Sequence, residues 1–323
     1  MASTTDAGPD APSTTQRKAI PLAQASNAVV GVHATVPEDA LTASVLGTDR
    51  SGSGVCIRAD GLIATIGYLV VEADSLWVTT SAAQSVPAHV VGYDQSSGLG
   101  LIQTSRAVEL PALPLGDSRA LELGERMTLA GHGGPDQILS VRLIARHEFA
   151  GYWEYLLDEA LFTTPAHPNW GGAVLLGANG AVLGIGSLLV QVVGKQADTE
   201  ANMIIPIQLL EPILDDLLNC GRRAGPARPW LGMFVQPAHG ELVISRLYRG
   251  CPAEHGGLRE GDVVVAVAGA DVAGLAGMYR QIWALGPAGV EVPLTIVRVG
   301  TGRRELKIQS ADRDECLRPK RLH

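Results

Sequence analysis

Eight histidines, four cysteines and a short acidic cluster are the groups of this chain best suited to proton transfer, nucleophilic attack or metal binding at neutral pH. The histidines are His33, His89, His132, His147, His167, His239, His255 and His323. An imidazole serves as a base only beside a placed hydroxyl or thiol, with a carboxylate to orient it. His167 lies just before Trp170 and the pair Gly171-Gly172, the most suggestive position of the set, yet no serine or acidic residue accompanies it there. It reads as a loop histidine, and Ser187 reads as a strand residue. Glu154, Asp158 and Glu159 carry enough carboxylate for acid–base work, but acidic side chains this close together are usually solvated, and that is the reading here. Cys56, Cys220, Cys251 and Cys316 form no CxxC or other metal-ligand spacing. Cys56 falls in an apolar run and reads as a small core residue. The expectation is neither metal nor cofactor.

The elements that carry these groups are short. Between Asn27 and Glu200 the apolar runs are broken by Gly, Pro, Asp and Asn. Gly54–Ile57, Leu62–Thr65, Ser75–Thr79, Ala88–Gly92, Gly100–Gln103, Arg126–Ala130, Leu139–Ala145, Ala160–Thr164, Gly172–Leu176 and Ala181–Ser187 are predicted strands. Many short strands at regular spacing predict a barrel or sandwich. Ile207–Leu218 has helical spacing, with Pro212 in its first turn or at a kink. Arg222–Pro229 reads as a basic linker, and a second compact unit follows from Trp230, its longest predicted helix Asp271–Leu285.

The 323 residues suit two domains, and 46% hydrophobic content is enough for two cores. A net charge of −8, with no Lys/Arg run longer than a pair, argues against a nucleic-acid partner. The N-terminal stretch is rich in Ser, Thr, Ala and Pro and has no apolar core, so it reads as a disordered arm, not a signal peptide. No run is long and apolar enough to predict a transmembrane helix. The chain by itself therefore reads as cytoplasmic, or as exported if a targeting segment precedes it. The basic tail from Arg313 reads as a solvated terminus.

Within the second unit, Gly250-Cys251-Pro252-Ala253-Glu254-His255-Gly256-Gly257-Leu258-Arg259-Glu260-Gly261-Asp262-Val263-Val264 resembles the G-S-P-A-x-x-A-G-L-x-x-G-D-x-I stretch of PDZ domains in HtrA-type (DegP-like) serine proteases. Pro229-Trp230-Leu231-Gly232-Met233 resembles that family's carboxylate-binding loop. In the first unit Ser51-Gly52-Ser53-Gly54-Val55, Asp60-Gly61-Leu62-Ile63-Ala64-Thr65, Gly116-Asp117-Ser118 with Gly124-Glu125, and Asn202-Met203-Ile204-Ile205-Pro206 are similar to segments of its trypsin-like domain. The resemblance implies a mainly β chain, a chymotrypsin-like double β-barrel followed by a PDZ domain. The boundaries it suggests are an arm 1–24, a barrel domain 25–219, a linker 220–229, a PDZ domain 230–312 and a tail 313–323.

The same resemblance assigns the triad positions. The histidine place holds Tyr68, the aspartate place Gly98 and the serine place Trp170, while the following Gly171-Gly172 is kept. A phenol is a poor base at neutral pH, and an indole is no nucleophile. Losing nucleophile and base together costs about 10⁶-fold in a serine protease. The chain is therefore expected not to be an enzyme, but a peptide-binding scaffold or regulator on a protease fold. The alternative is a serine endopeptidase or other hydrolase using non-standard residues. The PDZ groove is expected to bind polypeptide C-termini or unfolded segments through Trp230, Leu231, Gly232, Met233 and Val235 on the strand side and Met278 and Ile282 on the helix side. An active homologue is a further expected partner. A homo-oligomer is left open, because residues 20–45 lack the aromatics through which the family often trimerises.

Overall fold

The computed structural model describes residues 21–192 and 198–318. Two closed six-stranded barrels come first. The first contains β1 (Val29–Thr35), β2 (Asp49–Cys56), β3 (Leu62–Ile66), β4 (Ser75–Thr79), β5 (Ser85–Tyr93) and β6 (Leu99–Thr104), ordered β1-β2-β3-β6-β5-β4. The second contains β7 (Arg126–Ala130), β8 (Ile138–Gly151), β9 (Tyr155–Thr164), β10 (Val174–Leu176), β11 (Val182–Val192) and β12 (Thr199–Pro206), ordered β10-β11-β12-β9-β8-β7. Closure leaves neither barrel with a free edge. Side chains such as Leu62, Ile63, Leu101, Ile102 and Val174 are fully buried, on both faces of their strands.

The third unit is a sheet of β13 (Met233–Ala238), β14 (Glu241–Leu247), β15 (Val263–Val267), β16 (Ala270–Asp271), β17 (Glu291–Arg298) and β18 (Gly302–Gln309). Its order is β13-β14-β15-β17-β18, with β16 on β15, so β13 is an edge. Helices Pro252–His255 and Leu275–Trp283 pack on it. Asp262 is buried at the entry to β15, where Arg298 holds it by two bonds of 2.6 Å and the Arg259 N–H donates at 2.8 Å. No helix among the described residues is long and apolar enough to cross a membrane.

Several expectations change. The predicted strands are present, but β1 and β12 were not among them, and each is needed to close its barrel. The helix expected over Ile207–Leu218 breaks into 3₁₀ turns at Ile207–Leu209 and Glu211–Ile213 before the α-helix Leu214–Cys220, because Pro212 lacks the N–H that a continuous helix needs. The helix expected over Asp271–Leu285 spans Leu275–Trp283. Leu22–Ser26 forms a short helix across the end of the segment read as an arm, and residues 1–20 lie outside the described residues.

The described part of the tail, 313–318, is held against the folded units. Arg313 donates to the Tyr93 hydroxyl. Arg318 pairs with Asp39 at 2.6 Å and gives its N–H to Glu72 at 2.8 Å. Arg222 of the linker pairs with Asp312 at 2.7 Å, and Arg223 pairs with the buried Asp94 at 2.9 Å. Among the described residues, Arg222, Arg223, Arg313 and Arg318 thus find carboxylate or hydroxyl partners on the folded units.

Candidate functional site

Tyr68, Gly98 and Trp170 meet at the seam between the barrels. The short helix Gly67–Val70 after β3 carries Tyr68, and the turn before β6 carries Gly98. The loop between β9 and β10 carries Trp170. The Tyr68 hydroxyl donates to the Ser187 carbonyl at 2.9 Å. Burial moves that phenol far above its ordinary range, although a hydrogen bond from Trp170 pulls it down. Tyr68 is therefore a neutral donor bridging the two barrels. A Cβ on Gly98 would lie 2.9 Å from the Tyr155 hydroxyl, which itself donates to the Ser97 carbonyl at 2.7 Å. The space of an orienting carboxylate is occupied by Tyr155.

All three positions line a cavity of about 320 Å³, rich in aromatic rings that include Trp153, Phe234 and Tyr248, with Arg313 also in its wall. On its other face Trp170 borders a cleft with Ser51, Ser53 and His132. Ser53 accepts the His132 N–H at 3.0 Å, and burial lowers the His132 imidazole below its ordinary range. His33 Nδ1 lies 3.1 Å from the Ser51 hydroxyl and 3.4 Å from Asp49. Both contacts fall on the same ring nitrogen, so this is a cross-strand polar cluster and not a relay, which needs both nitrogens. His167 is in the loop, as expected, but buried. Its Nδ1 accepts from the Asn169 N–H at 3.0 Å and its Nε2 lies 3.1 Å from the Gln137 carbonyl. Both nitrogens are spent on holding the loop.

The expected peptide groove is the second site. The N–H groups of Leu231, Gly232 and Met233 converge on one carboxylate, that of Glu154, at 2.9, 2.7 and 3.0 Å. The N–H of Val235, on the edge strand β13, donates to the Tyr152 carbonyl at 2.8 Å. Met278 and Ile282 are buried in the cluster that also holds Leu231, Met233 and Val235. Trp230 faces elsewhere: its backbone pairs with Ala311 and its ring packs against Tyr248. Six of the seven expected groove residues are thus brought together, and Trp230 is not.

Glu154 corrects the reading of a solvated acidic stretch. It sits at the last position of the three-residue turn Tyr152–Glu154 joining β8 to β9, with φ +58°, and is buried. Asp158 stays exposed, bonded to Arg280 at 2.6 Å, and Glu159 pairs with Arg146 at 3.2 Å. A signal was present. Phe149, Tyr152, Trp153 and Tyr155 crowd around Glu154 in a chain only 4% aromatic, and such a neighbourhood is seldom solvated.

Residues 52–185 match the trypsin-like peptidase domain family, and residues 243–298 match the PDZ domain family. The first match falls within the two barrels, leaving out β1 and β12, and the second falls within the third unit, leaving out β13 and β18. In both units the chain is similar to HtrA/DegP-like serine proteases. A probable periplasmic serine endoprotease, DegP-like, of Chlamydia trachomatis serovar D is 28% identical over 267 residues, covering 77% of this chain and 52% of that protein. Its counterpart in Halomonas elongata is 29% identical over 272 residues, covering 78% and 54%. The chain spans about half the length of these curated relatives. The HtrA-type protease AlgW with a decapeptide superposes with a TM-score of 0.53 at 19% identity, covering 93% of this chain and 98% of that one. The serine endoprotease from Yersinia pestis gives 0.52 at 20%, covering 90% and 95%. These two likenesses concern the fold.

The expectation that this chain is not an enzyme is corrected by the same findings. The matched relatives are named serine endoproteases, the similar structures are HtrA-type proteases, and nothing in them marks inactivity. The physical reason is that Tyr68, Gly98 and Trp170 exclude one constellation only. Ser51, Ser53 and His132 stand in the adjoining cleft, outside those three positions.

Proposed function

We propose that this chain binds polypeptide segments through its PDZ groove, taking a terminal carboxylate at the N–H groups of Leu231, Gly232 and Met233 and an apolar side chain between Met233, Val235, Met278 and Ile282. One observation carries the reading: three successive backbone N–H groups already hold a carboxylate, so the loop has the geometry to desolvate and satisfy one. Unfolded chains and protein C-termini have this chemistry. The test uses the full chain and fluorescent decapeptides ending in Val, Leu or Phe, as free acids and as C-terminal amides. Saturable binding of the acids alone is expected. Equal binding of the amides would remove the carboxylate loop from the reading.

A second reading is favoured by the names of the relatives: a serine endopeptidase, or another hydrolase, whose nucleophile lies outside the three seam positions. The hydroxyls beside His132 and Trp170 are Ser51 and Ser53. Fluorophosphonate labelling and casein cleavage that disappear in Ser51→Ala or Ser53→Ala are the expected signs. A fully unlabelled, casein-inert protein would sink this second reading and leave the first untouched.

A further inference from the structure

The turn that meets the PDZ groove copies a bound peptide at each point where such a ligand is held. An extended peptide adds to the edge strand by main-chain bonds, and here Tyr152 supplies the carbonyl that the Val235 N–H needs. A peptide ends in a carboxylate, and here the Glu154 side chain fills the loop at Leu231–Met233. A peptide sends a side chain into the apolar pocket, and here Leu156 is buried in the cluster with Val235, Met278 and Ile282. The helix side is also engaged. The Tyr279 hydroxyl donates to the Gly151 carbonyl at 2.8 Å and accepts the Glu154 N–H at 3.1 Å.

We propose that the Tyr152–Glu154 turn is an internal ligand of the PDZ groove, with the Glu154 carboxylate standing in the place of a peptide's terminal carboxylate, so that turn and peptide compete for one site. The inference rests on the groove being a peptide site, as proposed above. The three N–H groups cannot serve two carboxylates, and a second anion beside Glu154 would be buried against it unpaired. An arriving C-terminus therefore has to displace the turn. The occupant is already tethered, so an external peptide meets a competitor of high effective concentration. The left-handed backbone of Glu154 is kept because the docked carboxylate holds it there.

The experiment compares the full chain with Glu154→Ala and Glu154→Gln, each checked for a native melting transition. Two quantities are read: affinity for the free-acid decapeptides, and hydrogen exchange at the amides of Leu231, Gly232, Met233 and Val235. Both variants are expected to bind the peptides at least tenfold more tightly than the parent chain. Their loop amides are expected to exchange at least tenfold faster when no peptide is present. Unchanged exchange and unchanged affinity would overturn the internal ligand while leaving the groove a peptide site. Faster exchange without any peptide binding would uphold the occupancy by Glu154 and overturn the peptide reading itself.

Discussion

A Cβ on Gly172 would lie 1.9 Å from the Ser53 carbonyl oxygen, and the backbone there has φ +76°. Gly172→Ala is therefore expected to cost about 3 kcal/mol or more, measured as a shift in denaturant midpoint. The Gly171-Gly172 pair is thus required by the packing of the two barrels, whatever side chain precedes it. Glu154 gives a second prediction. Burial pushes its carboxyl up to about 7, opposed by the N–H groups of Met233, Leu231 and Gly232 and by Arg313. The free carboxyl titrates near ~4.3. The docked turn therefore binds a proton that the released turn does not. The stabilisation this gives is complete below pH ~4.3 and is lost as pH rises through about 7. Of the other groups facing Glu154, burial lifts the Tyr248 and Tyr279 phenols and pushes the Cys251 thiol up to about 12, so none of these three gains a charge over this range. Affinity for free-acid peptides is expected to rise about tenfold or more from pH 5 to pH 8, and to stay flat in Glu154→Gln. A profile that is flat in both would argue against it.

The strands show where the sequence was readable. Runs such as Leu62–Ile66 and Leu99–Thr104 are apolar, bounded by turn residues, and fall where the pattern predicts. β1 and β12 were missed for different reasons. Gly31 interrupts the first, and its partner strand is also glycine-rich, so no alternation appears. The second is buried almost throughout and lacks the period that marks a strand half-open to solvent. The PDZ loop was legible because its residues act through their backbone at fixed spacing. Its occupant was not, because Glu154 and Leu231 are far apart in sequence and meet only after both units fold. The buried Asp262–Arg298 pair belongs to the strands it joins. Arg298→Ala would leave Asp262 enclosed without its cation, and a loss of about 3 kcal/mol is expected from chemical denaturation. A loss below 1 kcal/mol would mean that solvent replaces the guanidinium.

Across the molecule, the barrels and the PDZ unit are joined by more than the linker. Tyr68 ties the barrels at their seam, Arg280 bonds to Glu148 at 2.5 Å and Asp158 at 2.6 Å, and Arg318 returns to Asp39 and Glu72. A chain shortened after Asp312 loses the contacts of Arg313 and Arg318. It is expected to be cut by trypsin within 222–229 several-fold faster, with little change in the melting of the barrels. Unchanged cutting would show that the tail adds nothing to the docking.

The linker and the tail also touch each other. Arg222 reaches Asp312 and Asp314, and Trp230 exchanges backbone bonds with Ala311, so the polypeptide enters and leaves the PDZ unit at a single pinch. Once the Arg280 contacts and the docked turn let go, a body still held at such a pinch does not drift on a string. The motion left to it is a swivel, whose arc is set by where the grip lies relative to the turn it must leave. If the turn is the internal ligand proposed above, release of the groove is expected to be a rotation about that pivot, which keeps the unit near the barrels.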